Sequence, residues 1–343
     1  MPIEVELLSF DVALEQGADL NKRHLLLGNG FSRALREDIF SYAALFDRAE
    51  FHTLSPSARG AFDVLETTDF EVVMRALRAA ASLVEIYEGA NPELASQLRA
   101  DADGLRELLV RTIAANHPDR PGDVPIHSYE RCRTFLSCFD TVYTLNYDLL
   151  LYWTLMQNEL ETHIDSDDGF RTPDDGPEDY VTWEVEKTDH QNIFYLHGAL
   201  HIFDGGSEIK KYTWVNTGVP LIDQIRDALQ HGLYPLFVAE GQSSQKLARI
   251  KHNEFLGRAY RSFAKIGGGL YVYGHSMAVN DEHIIKLIEK NKVSKLFIGL
   301  YGDPNSEGSQ SIIERAFKIK AARPIKRPLE VAFFNAGSTQ VWG

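Results

Sequence analysis

The feature that most constrains the fold is a series of short apolar runs, rich in β-branched and aromatic residues and bounded by turn residues. Their apolar character is continuous rather than alternating, which is typical of strands buried on both faces of a parallel sheet. Segments with helical periodicity separate most of the runs, as the crossover connections of a parallel sheet require. The sequence therefore predicts an α/β fold with a parallel sheet of about six strands, at 23–27, 141–145, 192–196, 270–273, 295–301 and 330–334.

More than a hundred residues separate the first two predicted strands, and much of this stretch has helical periodicity. An apolar stripe with i, i+3, i+4 and i+7 spacing runs from Phe70 to Val84, and a second helix is predicted from Asp103 to Ala115, before His117-Pro118. At 343 residues the chain exceeds the size at which one core stops growing. We expect residues 1–34 and 130–343 to form a Rossmann-like nucleotide-binding domain and residues 35–129 an inserted helical subdomain.

The net charge of −14 is concentrated in residues 163–190, which hold ten acidic residues and two basic ones. Because a net acidic surface repels a phosphate backbone, general nucleic-acid binding is disfavoured. A basic stretch between Arg315 and Arg327 is interpreted as a solvated helix end and linker, with a local nucleic-acid patch as the alternative. The Asp, Gly and Pro content of 165–189 predicts a long loop, which is either a lid over a site or a surface connection.

The chain contains two cysteines, Cys132 and Cys138, and neither their number nor their spacing suits structural zinc. We therefore expect no metal. Two reduced thiols and an acidic amino terminus without a secretory apolar segment predict a cytoplasmic protein. No apolar run approaches the roughly 20 residues needed to span a bilayer, so we do not expect an integral membrane protein.

Polar and glycine-rich segments follow the predicted strands at the end where each strand stops. The first strand is followed by Gly28-Asn29-Gly30-Phe31-Ser32 and then by a helical pattern, an arrangement that presents free backbone N–H groups to phosphate. Arg33 occupies the third glycine position of G-x-G-x-x-G, so the common dehydrogenase fingerprint is not met. The alternative is a turn that needs glycine for a positive φ.

The next strands deliver further candidates to the same predicted edge. Asn146 and Asp148 are spaced so that both can project to one side of an extended chain, or they form an Asx turn. His197-Gly198 follows the third strand, where an imidazole can exchange a proton near neutral pH. Gly274-His275-Ser276 follows the fourth strand, and Asp281 is interpreted mainly as the N-cap of the next helix. Because ligands bind at the carboxyl ends of such strands, these groups predict one nucleotide site.

In chain order, G-N-G-F-S, T-L-N-Y-D, H-G and G-H-S resemble the motifs of sirtuins, and especially those of the bacterial sirtuin-like NAD hydrolases of phage defence. The runs TLNYDLLLYW and YLHGALH also resemble those of a bacterial family of uncharacterised proteins. Asn29 stands where sirtuins have alanine, and His275 stands where they have threonine. Since the four-cysteine zinc module of the protein deacylases is absent, the chain is more similar to the hydrolase branch.

The resemblance implies that NAD is the substrate, that its nicotinamide-ribose bond is cleaved, and that the purpose is NAD depletion in anti-phage defence. Asn146 would position the ribose or the attacking water, and His197 would accept a proton. The glycine turn at 28–32 would hold the pyrophosphate and the turn at 274–276 the adenosine half. The implied cofactor-binding residues are Gly28, Asn29, Gly30, Phe31, Ser32, Asp148, Gly274, His275, Ser276 and Asp281.

Other functions fit the same motifs. One is transfer of ADP-ribose or an acyl group to an acceptor, another is a catalytically silent NAD or ADP-ribose sensor that acts through a protein partner, and a third is binding of a different nucleotide. The resemblance also implies a homo-oligomer and activation by a partner protein or a phage-derived signal.

Overall fold

The computed structural model describes residues 2–87, 91–173, 179–213, 218–239 and 242–343. Its strands belong to two sheets. They are β1 (Leu7–Leu8), β2 (Arg23–Leu27), β3 (Thr141–Thr144), β4 (Phe170–Arg171), β5 (Tyr180–Trp183), β6 (Ile193–Tyr195), β7 (Gly198–Asp204), β8 (Ile209–Tyr212), β9 (Pro235–Phe237), β10 (Gly267–Tyr273), β11 (Lys292–Leu300) and β12 (Glu330–Asn335).

None of the helices within the described ranges is both long enough and apolar enough to cross a membrane. The α-helices are α1 (Phe10–Glu15), α2 (Gly30–Leu35), α3 (Glu37–Phe40), α4 (Tyr42–Arg48), α5 (Pro56–Val64), α6 (Phe70–Ile86), α7 (Pro92–Asn116), α8 (Ile126–Leu136), α9 (Leu150–Leu155), α10 (Leu221–Gln230), α11 (Ser243–His252), α12 (Glu254–Phe263), α13 (Glu282–Lys290) and α14 (Glu307–Ala322). Short 3₁₀ helices lie at Phe51–Thr53, Pro121–Asp123, Val185–Lys187, Val279–Asp281 and Ala336–Thr339.

The first sheet is parallel throughout, with strand order β1-β12-β11-β10-β2-β3-β6. All six predicted strands lie in it, so the predicted α/β class is confirmed. The seventh strand, β1, is an edge strand of two residues, too short to give a recognisable pattern. From β2 the chain continues to β3 and β6 on one side and returns through β10, β11 and β12 on the other. The carboxyl ends of β2 and β10 therefore flank a topological switch point, where open α/β sheets bind ligands.

Both faces of this sheet are covered. Leu25 and Leu27 of β2 belong to one buried core, while Leu26 belongs to another, because successive side chains of a strand point to opposite faces. The first core also contains residues of α6, α7 and α8, and the second contains residues of α12, α13 and α14. This explains why the strands are apolar without alternation.

The chain between β2 and β3 is largely helical, as the sequence predicts. On α6, Phe70, Val73, Met74, Leu77 and Ala81 are buried. The predicted second helix is longer than expected, because α7 begins at Pro92 rather than Asp103. Its start is defined by Asn91, whose side chain accepts a hydrogen bond from the backbone of Leu94.

The prediction of a loop without regular structure over 165–189 is wrong for the described residues. Strands β4 and β5 lie there and belong to a second, antiparallel sheet with order β4-β5-β8-β7-β9. Phe170 and Trp183 are paired across β4 and β5, and both contact Phe255. Phe170 and Trp183 are both buried, although acidic residues dominate the composition of this segment. Part of the predicted loop, residues 174–178, lies outside the described residues.

His117 joins the helical segment to the sheet. Its Nδ1 is 3.0 Å from the carbonyl oxygen of Pro118, and its Nε2 accepts the backbone N–H of Leu149 at 3.1 Å, directly after the 144–148 motif. The ring also contacts Trp153 edge-on. Burial lowers the pKa of His117 to about 4, although the carbonyl of Pro118 favours the cation. The cation would also have to displace the N–H of Leu149 from Nε2.

Acid should weaken the protein through His117. The folded pKa lies below the unfolded value of 6.5, so this contribution to stability is complete above pH 6.5 and is lost as the pH falls towards about 4. We expect the stability difference between wild type and His117→Gln to shrink by about 3 kcal/mol over this interval. Urea unfolding of both proteins at several pH values measures it. A difference that does not vary with pH would contradict a buried neutral imidazole.

Candidate functional site

A cavity of about 1060 Å³ opens at the carboxyl edge of the parallel sheet, beside the switch point. The helical segment forms part of its wall through Phe40, Tyr42, Leu45, Asp69, Glu71, Leu109 and Ile113. The sheet side brings together ten of the twelve residues that the sequence proposes for the site. These are Gly28, Asn29, Gly30, Asn146, Asp148, His197, Gly274, His275, Ser276 and Asp281.

The two glycine turns are packed directly against each other. A Cβ atom at Gly28 or Gly30 would lie 2.7 or 2.6 Å from backbone atoms of the 274–275 turn, and Gly274 has a φ of +70°. The N–H groups of Gly28 and Gly30 donate to the carbonyls of Tyr273 and Gly274. Close approach of the turns thus accounts for these glycines, and these two amides are engaged within the protein rather than free for a phosphate. Their role in cofactor binding stays a prediction.

Phe31 and Ser32 are not among the residues that line the cavity. The ring of Phe31 packs on Trp342 with centroids 4.9 Å apart, and its carbonyl accepts the indole N–H at 2.7 Å. Ser32 is fully buried and links two other candidates: its hydroxyl donates to Asp148 Oδ2 and accepts from Asn146 Nδ2 at 3.0 Å. Ser32 therefore orients Asn146 and Asp148 from behind the cavity wall.

Two hydrogen bonds hold the side chain of Asp148 inside the protein. Its Oδ1 accepts the backbone N–H of Leu150 at 2.9 Å, while Ser32 contacts the other oxygen. Burial raises the pKa of Asp148 even though both contacts favour the charged form. The predicted alternative of an Asx turn thus describes part of the geometry, since this carboxylate does bond to the backbone two residues later.

His197 follows β6 and is 2% exposed. Its Nε2 lies 3.1 Å from Nε2 of His283 and 3.8 Å from Oδ1 of Asp281. Burial, reinforced by the charge of Lys246, holds the pKa of His197 well below its ordinary value, so the ring is neutral at neutral pH. Two facing nitrogens of neutral rings bond only when one carries a proton. When His197 is the donor, its Nδ1 keeps a lone pair that can accept a proton.

His283 is anchored by a serine. The hydroxyl oxygen of Ser243 accepts the backbone N–H of His283 at 2.8 Å and lies 3.2 Å from its Nδ1. Burial lowers the pKa of His283 to about 4.

Gly198, next to His197, has a φ of +78°, and a Cβ there would lie 1.8 Å from the carbonyl oxygen of Leu236. Strand β9 thus approaches the backbone closely at this glycine.

A buried ionic cluster joins the helical segment to the sheet. Lys246 of α11 is 2.7 Å from Glu71 of α6 and 3.0 Å from Oδ1 of Asp281, and Oδ2 of Asp281 is 3.0 Å from Nε2 of His275. Burial opposes the charge of Lys246, but the two carboxylates raise its pKa above the ordinary value. Burial raises the pKa of Glu71, whereas Lys246 and His275 hold that of Asp281 well below its usual range despite burial.

The expected main role of Asp281, the N-cap of α13, is wrong: its side chain makes no capping hydrogen bond and is used by Lys246 and His275 instead. Met277 N–H donates to Nδ1 of His275, so the proton of that ring is on Nε2 and points to Asp281.

Three residues of this site, Glu71, Lys246 and His283, were not predicted from the sequence. A signal existed for Lys246, which is four residues from buried Ile250 and so lies on the apolar face of α11.

Similarity to known proteins extends over nearly the whole chain. Among curated proteins, none matches it. A solved structure described as a Sir2 homolog–NAD complex is similar to this chain with 10% sequence identity and a TM-score of 0.32, over 94% of this chain and 98% of the other. A family model described as a domain of unknown function, DUF4917, matches residues 25–342. Because this match spans nearly the whole chain, the protein belongs to the DUF4917 family.

Proposed function

We propose that this protein is an NAD glycohydrolase that cleaves the bond between nicotinamide and ribose. The observation that carries the proposal is that the side chains of Asn146 and His197, far apart in sequence, border one cavity beside the switch point of the sheet. Its volume of about 1060 Å³ is at the upper end of ordinary small-molecule sites, which suits a dinucleotide.

The chemistry requires little acid catalysis. Nicotinamide leaves as a neutral molecule from a pyridinium, so the protein must support an oxocarbenium-like ribose and admit water. Water forms the new bond to the ribose C1′ while the bond to the pyridinium nitrogen breaks, and the products are ADP-ribose, nicotinamide and one proton. Ionised Asp281, which lines the cavity, favours the cationic sugar, although Lys246 offsets part of its charge.

The two candidate catalytic residues have separate tasks. Asn146 is oriented by its 3.0 Å hydrogen bond to Ser32 and would position the ribose or the attacking water. His197 would accept the proton of that water on the ring nitrogen that does not face His283, and Asp281, 3.8 Å from its Nε2, would stabilise the imidazolium formed. We further propose NAD depletion in anti-phage defence as the biological setting, which rests on the motif resemblance alone.

Chromatography of NAD incubated with purified protein tests the activity. Wild type should release nicotinamide and ADP-ribose in equal amounts, and Asn146→Ala should lose most of this release, because the amide that positions the reactants is gone. Asn192→Ala, which changes an amide at the start of the β6 region outside the cavity lining, is the matched control.

The outcomes separate the alternatives. Nicotinamide without an equal amount of ADP-ribose, together with a mass increase on an acceptor, would show transfer in place of hydrolysis. NAD binding without nicotinamide release, also after addition of cell extract from infected bacteria, would reject hydrolysis and favour a sensor.

A further inference from the structure

Three metal-ligating atoms converge beside the cavity. Nε2 of His197 is 3.1 Å from Nε2 of His283 and 3.8 Å from Oδ1 of Asp281, and all three atoms lie within 4.8 Å of one another. Tetrahedral zinc with bonds of about 2.0–2.1 Å keeps its ligand atoms about 3.3 Å apart. The spacing therefore suits a single small ion held by all three side chains.

We propose that His197, His283 and Asp281 bind a divalent transition metal such as zinc. Two imidazoles and one carboxylate suit such ions better than they suit calcium or magnesium, because the latter two favour oxygen ligands. The two Nε2 atoms face each other, so without an ion a single proton must occupy the space between two lone pairs. An ion at this place uses both lone pairs at once.

The surroundings support the ligands. Ser243 Oγ lies 3.2 Å from Nδ1 of His283 and also accepts a hydrogen bond from the backbone N–H of His283. A metal-bound histidine commonly donates its second ring N–H to such an oxygen. The remaining oxygen of Asp281 is oriented by His275 at 3.0 Å. Both partners fix the directions in which the ligand atoms point.

The local charge also favours a cation. Glu71 and Asp281 are two carboxylates with Lys246 as their shared partner, so the buried cluster carries one more negative than positive charge when all three are ionised. Lys246 lies near the proposed ligand atom, but its closer partner is Glu71, at 2.7 Å compared with 3.0 Å. When Asp281 binds the metal, Lys246 therefore still has Glu71 as its counterion.

The cavity provides both the entrance and the open coordination position. His197 and Asp281 line it, so an ion can reach them from the cavity, and three protein ligands leave a fourth position for water or a ligand. His197 and Asp281 are shared with the proposed hydrolase, and the functional consequence rests on that proposed function. With metal on Nε2, the single ring proton is on Nδ1, and His197 has no lone pair left to accept a proton. Zinc should therefore inhibit NAD cleavage.

Binding is tested first, without reference to NAD. The full chain is stripped with a chelator and titrated with zinc against a chromophoric competitor, and cobalt(II) is added separately to record its visible absorption. We expect one equivalent to bind tightly and the cobalt spectrum to be that of a tetrahedral site. His283→Gln should weaken binding by at least about 100-fold, since it removes a direct ligand. His231→Gln, at an exposed histidine on the end of α10, should bind like wild type.

The results decide between outcomes. No tight equivalent in wild type, an octahedral cobalt spectrum, or equal loss in the two histidine variants would overturn the proposal. If His283→Gln does not fold by circular dichroism, Asp281→Asn replaces it, and the wild-type cobalt spectrum still decides. Zinc binding in a protein that never cleaves NAD would uphold the site and reject the hydrolase, whereas NAD cleavage without zinc binding would do the reverse.

Discussion

Replacement of Lys246 by methionine should destabilise the protein by about 3–5 kcal/mol. This is the largest loss of stability that we expect from a single substitution that preserves most of the side-chain volume. Lys246 is 1% exposed and is hydrogen-bonded to both Glu71 and Asp281. Methionine preserves much of the side-chain volume but leaves two buried carboxylates without their counterion. Breaking a buried pair on one side costs far more than removing both partners. The free energy of unfolding in urea measures the effect.

Two comparisons isolate its cause. Lys318→Met changes a lysine that is 73% exposed and should alter stability by less than about 0.5 kcal/mol. Adding Glu71→Gln to Lys246→Met should restore part of the loss, because one of the stranded charges is removed. If Lys246→Met were no more harmful than Lys318→Met, the cluster would not depend on charge compensation.

Replacement of His197 by alanine should lower the rate of nicotinamide release by about 10²–10⁴-fold, the usual contribution of a positioned proton acceptor. The effect should fall on turnover rather than on NAD binding, because the ring acts on the attacking water. Steady-state assays by chromatography give the rate, and NAD binding is measured separately by titration with the same protein.

His24→Ala is a matched control for a buried histidine. His24 is 5% exposed, and its Nε2 contacts the carbonyl of Gly267. It lies near the amino end of β2, whereas the cavity lies at the carboxyl end. Its loss should change stability and leave turnover nearly unaltered. Equal rates for wild type and folded His197→Ala would remove His197 from the mechanism, whereas equal losses in both histidine variants would point to a general effect of destabilisation.

Much of the parallel sheet could be predicted because its signals are local. Strand β2 has the predicted bounds, and the other predicted strands differ by a few residues at their ends. The strands of the second sheet, β4, β5, β7, β8 and β9, could not be predicted in the same way, because most of them are short and all depend on packing against distant residues. Phe170 and Trp183, for example, are buried against Phe255 of α12.

The candidate site could likewise be predicted only in part. Strand ends brought Asn146, His197 and Gly274 to one edge, as a parallel sheet requires, and this followed from sequence. The position of the Ser32 side chain behind the cavity wall did not follow from the sequence. Its hydroxyl is hydrogen-bonded to two residues that are more than a hundred positions away in the chain. Glu71 and His283 were missed for the same reason: each acquires its role through partners on other elements.

By itself, the sequence determined six strands of the parallel sheet, much of the helical segment between β2 and β3, and the edge of the sheet where polar groups emerge, because periodicity and glycine turns act over a few residues. Only the tertiary structure decided which of those groups face the cavity, which support it from behind, and which charges share a buried partner. Burial and pairing depend on residues far apart in the chain, and those contacts exist only after the sheet and its helices have assembled.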